Sequence, residues 1–232
     1  MPESETEGVR VRAPALAGTS LGLSHGFEAG SGPRVEPAMT TLGRKLLSII
    51  AESGITPNEI TIIGLLLVLA NCAAYLWHRS AFWLGGGLAM SFGFDSLDGA
   101  VARYQHSQSA YGSYLDAVVD RYEEIATYFV IAWVNGWWMA SFVAVTGSLL
   151  ISYNKARVAL ERKIDNKGWP DMLERHARGW ILCAALLCDV LVPIPRSMGG
   201  HLLFVVLVVM GPLTHVAAVQ RFHRARRILL SD

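Results

Sequence analysis

From residue 58 onward the chain alternates long apolar runs with brief polar interruptions. The apolar runs lie over 58–77, 81–104, 112–135, 137–158, 178–195 and 199–220. About 20 mostly apolar residues are needed for one helical crossing of a bilayer. The pattern therefore predicts an all-α polytopic membrane protein with six transmembrane helices. The links are short, apart from a polar stretch over 159–177. Ahead of the first run, MTTLGRKLLSIIAESG (39–54) puts Leu42, Leu46, Ile49 and Ile50 on one helical face with Arg44 and Lys45 beside it. That face predicts an amphipathic helix lying on the membrane surface. Residues 1–38 are rich in Gly, Pro, Ser and Glu without an apolar period, which predicts a disordered cytosolic tail. The tail lacks the charged start, apolar core and small-residue cleavage site of a signal peptide, so its removal is not expected. The membrane domain is expected over 39–232.

Composition agrees. Of the 232 residues, 52% are hydrophobic and 17% charged, against roughly 25% charged in typical soluble domains. A formal net charge of +1 excludes a polybasic nucleic-acid binder. Cys72, Cys183 and Cys188 sit in apolar runs without CxxC spacing, so neither a zinc site nor a disulfide framework is expected. Basic residues are distributed unevenly. With the N-terminus inside, the cytosolic side collects Arg44, Lys45, Arg103, the group from Lys155 to Arg178, and Arg221, Arg224, Arg226 and Arg227. The outer side keeps Arg79 and Arg196. The positive-inside rule then places both termini in the cytosol.

The second and third runs contain residues that a lipid-facing helix excludes. Asp95, Asp98, Asp116 and Asp120 interrupt apolar sequence, followed by Glu123 and Glu124. A carboxylate at the bilayer centre costs at least ~2.5–3.5 kcal/mol, so these acids must face a polar cavity. Asp95 and Asp98 are three apart and Asp116 and Asp120 four apart, so each pair shares a helical face. Four converging carboxylates repel one another unless a cation lies between them. An all-oxygen donor set suits Mg²⁺, Mn²⁺ or Ca²⁺. Gly99, Ala102 and Gly112 leave room for a bulky ligand against the backbone, and Arg103 has the planar fork that pairs with phosphate. An ion-coupled transporter would use intramembrane acids in a comparable way.

The run Asp95-Ser-Leu-Asp98-Gly99-Ala-Val-Ala102-Arg103, then eight residues, Gly112, three residues, Asp116, three residues and Asp120 resembles the signature of the CDP-alcohol phosphatidyltransferases at every fixed position. Thr56-Pro57-Asn58 resembles that family's usual opening before the first span. The resemblance covers about residues 39–227. It implies transfer of a phosphatidyl-type group from a CDP-lipid, usually CDP-diacylglycerol, with CMP leaving and magnesium or manganese required. It further implies that Asp95, Asp98 and Asp116 hold the metal, that Asp120 lies near it as general base, and that Asp98, Gly99, Arg103 and Gly112 belong to the CDP site. A homodimer is expected from the resemblance alone.

Ser152-Tyr153-Asn154-Lys155-Ala156-Arg157 and Glu174-Arg175-His176-Ala177-Arg178 are similar to runs in the prokaryotic inositol-phosphate-using members of that family, the phosphatidylinositol phosphate and archaetidylinositol phosphate synthases. The chain departs from those runs near Val158 and Ala159 and at Ala177. The likeness implies that Lys155, Arg157, Arg175 and Arg178 hold the phosphate of the acceptor. Inositol 1-phosphate is the leading acceptor, with glycerol 3-phosphate the alternative. Other polar residues have plainer expectations. Glu123 and Glu124 are expected to serve helix packing or to pair with an arginine. His201 and His215 are expected to be satisfied by neighbouring helices, and Asn71 and Asp189 to serve packing or the outer interface. The expected location is the inner cell membrane, with the active site facing the cytoplasm.

Overall fold

The computed structural model describes residues 54–104, 107, 109–161, 175–195 and 199–230, with the side chains of 94–98 and 104 excepted. The tail expected over 1–38 and nearly all of the amphipathic helix expected over 39–54 lie outside the described residues. So do Arg162, Lys163, Lys167 and Arg196.

Every described element is a helix: α1 Pro57–His78, α2 Ala81–Tyr104, α3 Ala110–Asn135, α4 Trp138–Glu161, α5 Arg175–Cys188 and α6 Leu202–Leu230. Local chemistry sets the boundaries. At α1, the Thr56 hydroxyl accepts from the Glu59 amide at 3.3 Å, and the Glu59 carboxylate accepts from the Thr56 amide at 2.8 Å. This reciprocal pair satisfies two amides that the first turn leaves open, and Pro57 has no amide hydrogen to lose. Ser109 caps α3 by accepting from the Gly112 amide at 2.9 Å, and Gly136 closes it at φ 74°, a left-handed turn that glycine adopts without strain.

The fifth element corrects the expectation of a full span over 178–195. Helix α5 has 14 residues, a length of about 21 Å at 1.5 Å per residue, short of the roughly 30 Å of bilayer hydrocarbon. Two residues with no amide donor, Pro193 and Pro195, follow and cannot continue the helical ladder. Asp189 is used instead to secure the start of α6. Its carboxylate accepts from the Leu203 amide at 2.8 Å and contacts His201 Nδ1 at 3.1 Å.

Helix α1 packs against α2 and α3, α2 against α5, α3 against α4, and α6 against both α4 and α5. The main core is built from Val68, Tyr75, Leu84, Ile131, Leu186, Leu203 and Leu207, all fully buried. Two part-buried polar side chains beside it are satisfied by carbonyls of neighbouring helices: Asn71 donates to the Leu84 carbonyl at 2.9 Å, and His215 Nε2 contacts the Val143 carbonyl at 3.0 Å. Small residues set the closest approaches. A Cβ on Gly85 would lie 2.8 Å from Leu186 Cβ and 3.2 Å from the Cys183 carbonyl.

The exterior is inverted relative to a water-soluble protein. On α3, Asp120 and Glu123 are buried, whereas Phe129 is 50% and Trp133 62% exposed. Leu66 and Trp77 on α1, Met139 and Phe142 on α4, and Val209 and Phe222 on α6 also face outward. Among the described helices, α1 and α6 are the two long and apolar enough to cross a membrane by length and composition.

The α2–α5 contact supplies a stability test. Gly85→Val overpacks it and is expected to lower stability by about 1–3 kcal/mol, measured by thermal unfolding in detergent. Gly86→Ala, where a Cβ would meet nothing within 4 Å, is expected to leave the midpoint unchanged or raise it slightly. Equal effects at the two positions would refute the close approach.

Candidate active site

The signature acids lie on the two helices that flank a short link. Asp95 and Asp98 are on α2, Asp116 and Asp120 on α3. With a rise of 1.5 Å per residue, Asp98 lies about 9 Å before the end of α2 and Asp116 about 9 Å past the start of α3. Asp116 is half-buried and Asp120 is 8% exposed. The two signature glycines each have a side chain close by. A Cβ on Gly112 would lie 3.1 Å from Asn58 Oδ1, which brings the first turns of α1 and α3 together. A Cβ on Gly99 would lie 3.3 Å from a guanidinium nitrogen of Arg103.

One turn deeper on α3 the acids meet arginines. Arg175, at the start of α5, pairs with Asp120 Oδ1 and lies 3.8 Å from Glu123 Oε2. Arg178, one turn along, is 3% exposed. It donates to Ser148 Oγ at 2.7 Å and lies 3.6 Å from Glu124 Oε1. The Ser148 hydroxyl in turn donates to Glu124 Oε1. Arg121 lies 3.4 Å from Glu124 and 3.7 Å from Asp120, and donates to Ser152 Oγ on α4. Three carboxylates and three guanidinium groups thus interlock α3, α4 and α5. Glu123 and Glu124 pair with arginines, as expected from the sequence, and they also line the cleft described next.

Asp120, Glu123, Glu124, Arg175, Arg178 and His176 form the polar side of a cleft that is partly open to solvent. Val68, Leu88, Phe92 and Leu182 form its apolar side. Such a cleft suits an amphiphilic substrate, with its charged group among the arginines and its hydrocarbon against the apolar wall.

The four basic residues expected to hold an acceptor phosphate separate into two pairs. Arg175 and Arg178 line the cleft. Lys155, half-buried on α4, and Arg157, exposed and paired with Glu161 of its own helix at 2.8 Å, are not among its lining residues. Sequence reasoning missed Arg121, Ser148 and Ser152. Ser148 and Ser152 are spaced four apart on one face of α4, a periodicity that could have marked them as a polar stripe.

The donor set suits a hard divalent cation, since every signature ligand is a carboxylate oxygen. The signature acids come from two helices at matched distances from their link. Among the described side chains, which exclude Asp95 and Asp98, no three metal-binding groups converge.

The family profile described as CDP-alcohol phosphatidyltransferase matches residues 54–223. The chain belongs to that family. It is 36% identical over 131 residues to archaetidylinositol phosphate synthase of Pyrococcus horikoshii, an alignment covering 55% of this chain and 66% of that protein. It is 33% identical over 119 residues to phosphatidylinositol phosphate synthase of Mycobacteroides abscessus, covering 48% and 54%. The chain therefore spans about half to two thirds of the length of these two relatives. Its fold matches the crystal structure of Mycobacterium tuberculosis phosphatidylinositol phosphate synthase with CDP-DAG bound, at a TM-score of 0.68 and 24% identity, over 78% of this chain and 92% of that one. A second structure of that enzyme, in complex with manganese and citrate, matches at 0.67 over 78% and 87%, also at 24% identity.

The unequal burial of the arginines gives a direct test. Arg178→Met leaves buried acceptors on Ser148 and Glu124 less well satisfied and is expected to lower stability by about 1–3 kcal/mol. Arg157→Met removes an exposed pair within one helix and is expected to change stability by no more than about 0.5 kcal/mol. Thermal unfolding of the purified variants checks both, and the reverse ranking would contradict the burial described here.

Proposed function

We propose that the chain is an integral membrane transferase of phospholipid biosynthesis. It moves a phosphatidyl-type group from a CDP-diacylglycerol-type lipid to a hydroxyl of a small phosphorylated polyol, with inositol 1-phosphate the leading acceptor, and releases CMP. The observation that carries this reading is the meeting of Arg175 with Asp120: a phosphate-binding group beside the last carboxylate of the signature. The names of the relatives and the bound CDP-DAG of the fold neighbour support the donor and acceptor classes.

In this reading Asp95, Asp98 and Asp116, with Asp120 beside them, would hold magnesium or manganese. A divalent ion held there would supply positive charge to offset the negative charge of the donor's diphosphate. The manganese complex of the fold neighbour supports this choice. Gly99 and Gly112 clear space for the nucleotide, and Arg103 offers it a planar fork. Asp120 accepts the proton of the attacking hydroxyl, a contribution of roughly 10²–10⁴-fold. Arg175 grips the phosphate of the acceptor, and Arg178, fixed by Ser148 and Glu124, adds positive potential behind it. Lys155 and Arg157 extend the positive rim at the same end of the bundle.

The reading includes a bundle of six membrane helices, α5 reaching only part of the way across, with both termini and the cleft on the cytosolic side of the inner membrane, and a homodimer by family likeness. The outward apolar faces of α3 and α4 support a membrane setting, because Phe129, Trp133, Met139 and Phe142 face outward while Asp120 and Glu123 of α3 turn inward.

Purified protein with labelled CDP-diacylglycerol, magnesium and a panel of acceptors is expected to release CMP with inositol 1-phosphate and not with serine or choline. Release with glycerol 3-phosphate alone would move the acceptor to that alternative. No release with any acceptor would favour an ion-coupled transporter. Chelation of divalent ions is expected to stop turnover and added magnesium or manganese to restore it. Asp120→Asn is expected to abolish turnover while sparing CDP-lipid binding; retained turnover would reject its role as base. Arg175→Ala is expected to raise the acceptor KM more than the donor KM, and an equal effect on both would discard its contact with the acceptor.

A further inference from the structure

We infer that the C-terminal end of α6 is a binding site for an anionic phospholipid headgroup, built from Arg226 and Arg227 on a stub that α4 and α6 form beyond the hydrocarbon. The inference rests on the membrane setting of the bundle and is independent of the reaction proposed above.

Helix α6 is longer than one crossing requires. Its 29 residues extend about 43 Å at 1.5 Å per residue, against roughly 30 Å of bilayer hydrocarbon. Counted from Leu202, that thickness ends near Arg221, so the turns from Phe222 onward leave the hydrocarbon. These turns are braced by α4. Arg221, buried, donates to the Ile151 carbonyl, and Asn154 returns a hydrogen bond to the Ala218 carbonyl at 3.1 Å. One turn further, Val158 packs on Ala225, with Ile228 against them. Arg221, Ala225 and Ile228, spaced four and three apart, thus form the face turned to α4. Phe222, His223, Arg226 and Arg227 are all exposed on the other side.

The charge on that side is not balanced by the protein nearby. Helix α6 packs against α4 and α5. Among the described residues of these three helices the only acid is Glu161, and it is paired with Arg157 at 2.8 Å. Arg221 is occupied by α4, which leaves Arg226 and Arg227 as the outward cations of the stub. They lie within about 10 Å of Arg221 along the helix, and a long arginine side chain reaches back toward the headgroup layer. The exposed ring of Phe222, one turn before Arg226, sits where an aromatic side chain anchors a helix at the membrane boundary. Depth and charge together select an amphiphile that presents its phosphate at the surface, and a guanidinium forks onto such a phosphate. A basic side chain at a helix C-terminus also complements the helix dipole, but that role is indifferent to the lipid.

The test titrates the full-length protein in detergent with dioleoyl phosphatidylglycerol or dioleoyl phosphatidylcholine and counts bound lipids by native mass spectrometry. The wild type is expected to bind the anionic lipid at least about tenfold more tightly, from roughly fivefold per basic side chain at an anionic surface. Arg226→Gln combined with Arg227→Gln is expected to lose at least about fivefold of that preference. Arg226→Lys combined with Arg227→Lys is expected to keep most of it, because the attraction is one of charge. Arg79→Gln, beyond the other end of α1, is expected to leave the preference unchanged. Added salt is expected to weaken binding of the anionic lipid and not of the neutral one. A wild type without preference, or a paired Gln variant that retains it, overturns the inference. Displacement of the anionic lipid by millimolar inorganic phosphate would overturn the lipid assignment in favour of a soluble anion. If the paired Gln variant keeps the preference but unfolds earlier to the same extent in both lipids, the arginines serve only the helix terminus and the inference falls. Protein that binds neither lipid would overturn the membrane setting with it, whereas loss of the preference alone leaves the transferase reading standing, because CMP release is measured separately.

Discussion

Burial of ionic side chains inside a bundle whose outer surface is apolar is the constraint on which the structure depends. Charges in such a setting persist only with partners, because an unpaired ion away from water is penalised by several kcal/mol. Asp120, Glu123 and Glu124 on α3 meet Arg121 of the same helix and Arg175 and Arg178 of α5. Ser148 and Ser152 of α4 accept hydrogen bonds from two of those arginines. The pairing does more than neutralise charge. It fixes how α3, α4 and α5 sit around the cleft, because a shift of any one would leave a partner unmatched.

The same constraint explains where function is found. A bundle held only by apolar packing would have no reason to keep acids on α2 and α3. In the proposed reaction a charged ligand would complete that charge balance, so the polar interior would serve both as support and as the reaction site. Arg178 is the more deeply buried and Arg175 the more open, although the two lie within one turn. Their difference is one of surroundings rather than residue type: one guanidinium is held from two other helices, the other stands between two carboxylates beside the opening.

The outer half of the bundle is organised differently. There the contacts are apolar, with glycines such as Gly85 admitting the side chains of a neighbouring helix, as expected where lipid tails are as apolar as the core and close packing must hold the helices. Asp189 and His201 join α5 to α6 at that end. Apolar packing with a few polar ties thus holds the far end, and the buried charges gather at the other.

Much of this was legible in the sequence because it is local. Helix positions follow from apolar runs, the start of α1 from Thr56, Pro57 and Glu59, and the shared faces of Asp95 with Asp98 and Asp116 with Asp120 from spacings of three and four. The signature was readable for the same reason, since its residues occupy two consecutive helices and one short link. The premature end of α5 was a partial exception: Pro193 and Pro195 were visible, but the apolar residues around them concealed the break. What the tertiary structure alone decided were the partners across helices. Arg175 meets Asp120 and Arg178 meets Ser148 across long stretches of chain, and no periodicity within a helix encodes which side chain of another helix it will face. Those choices depend on how the helices dock, because pairing energy is realised only when burial has removed the competing water.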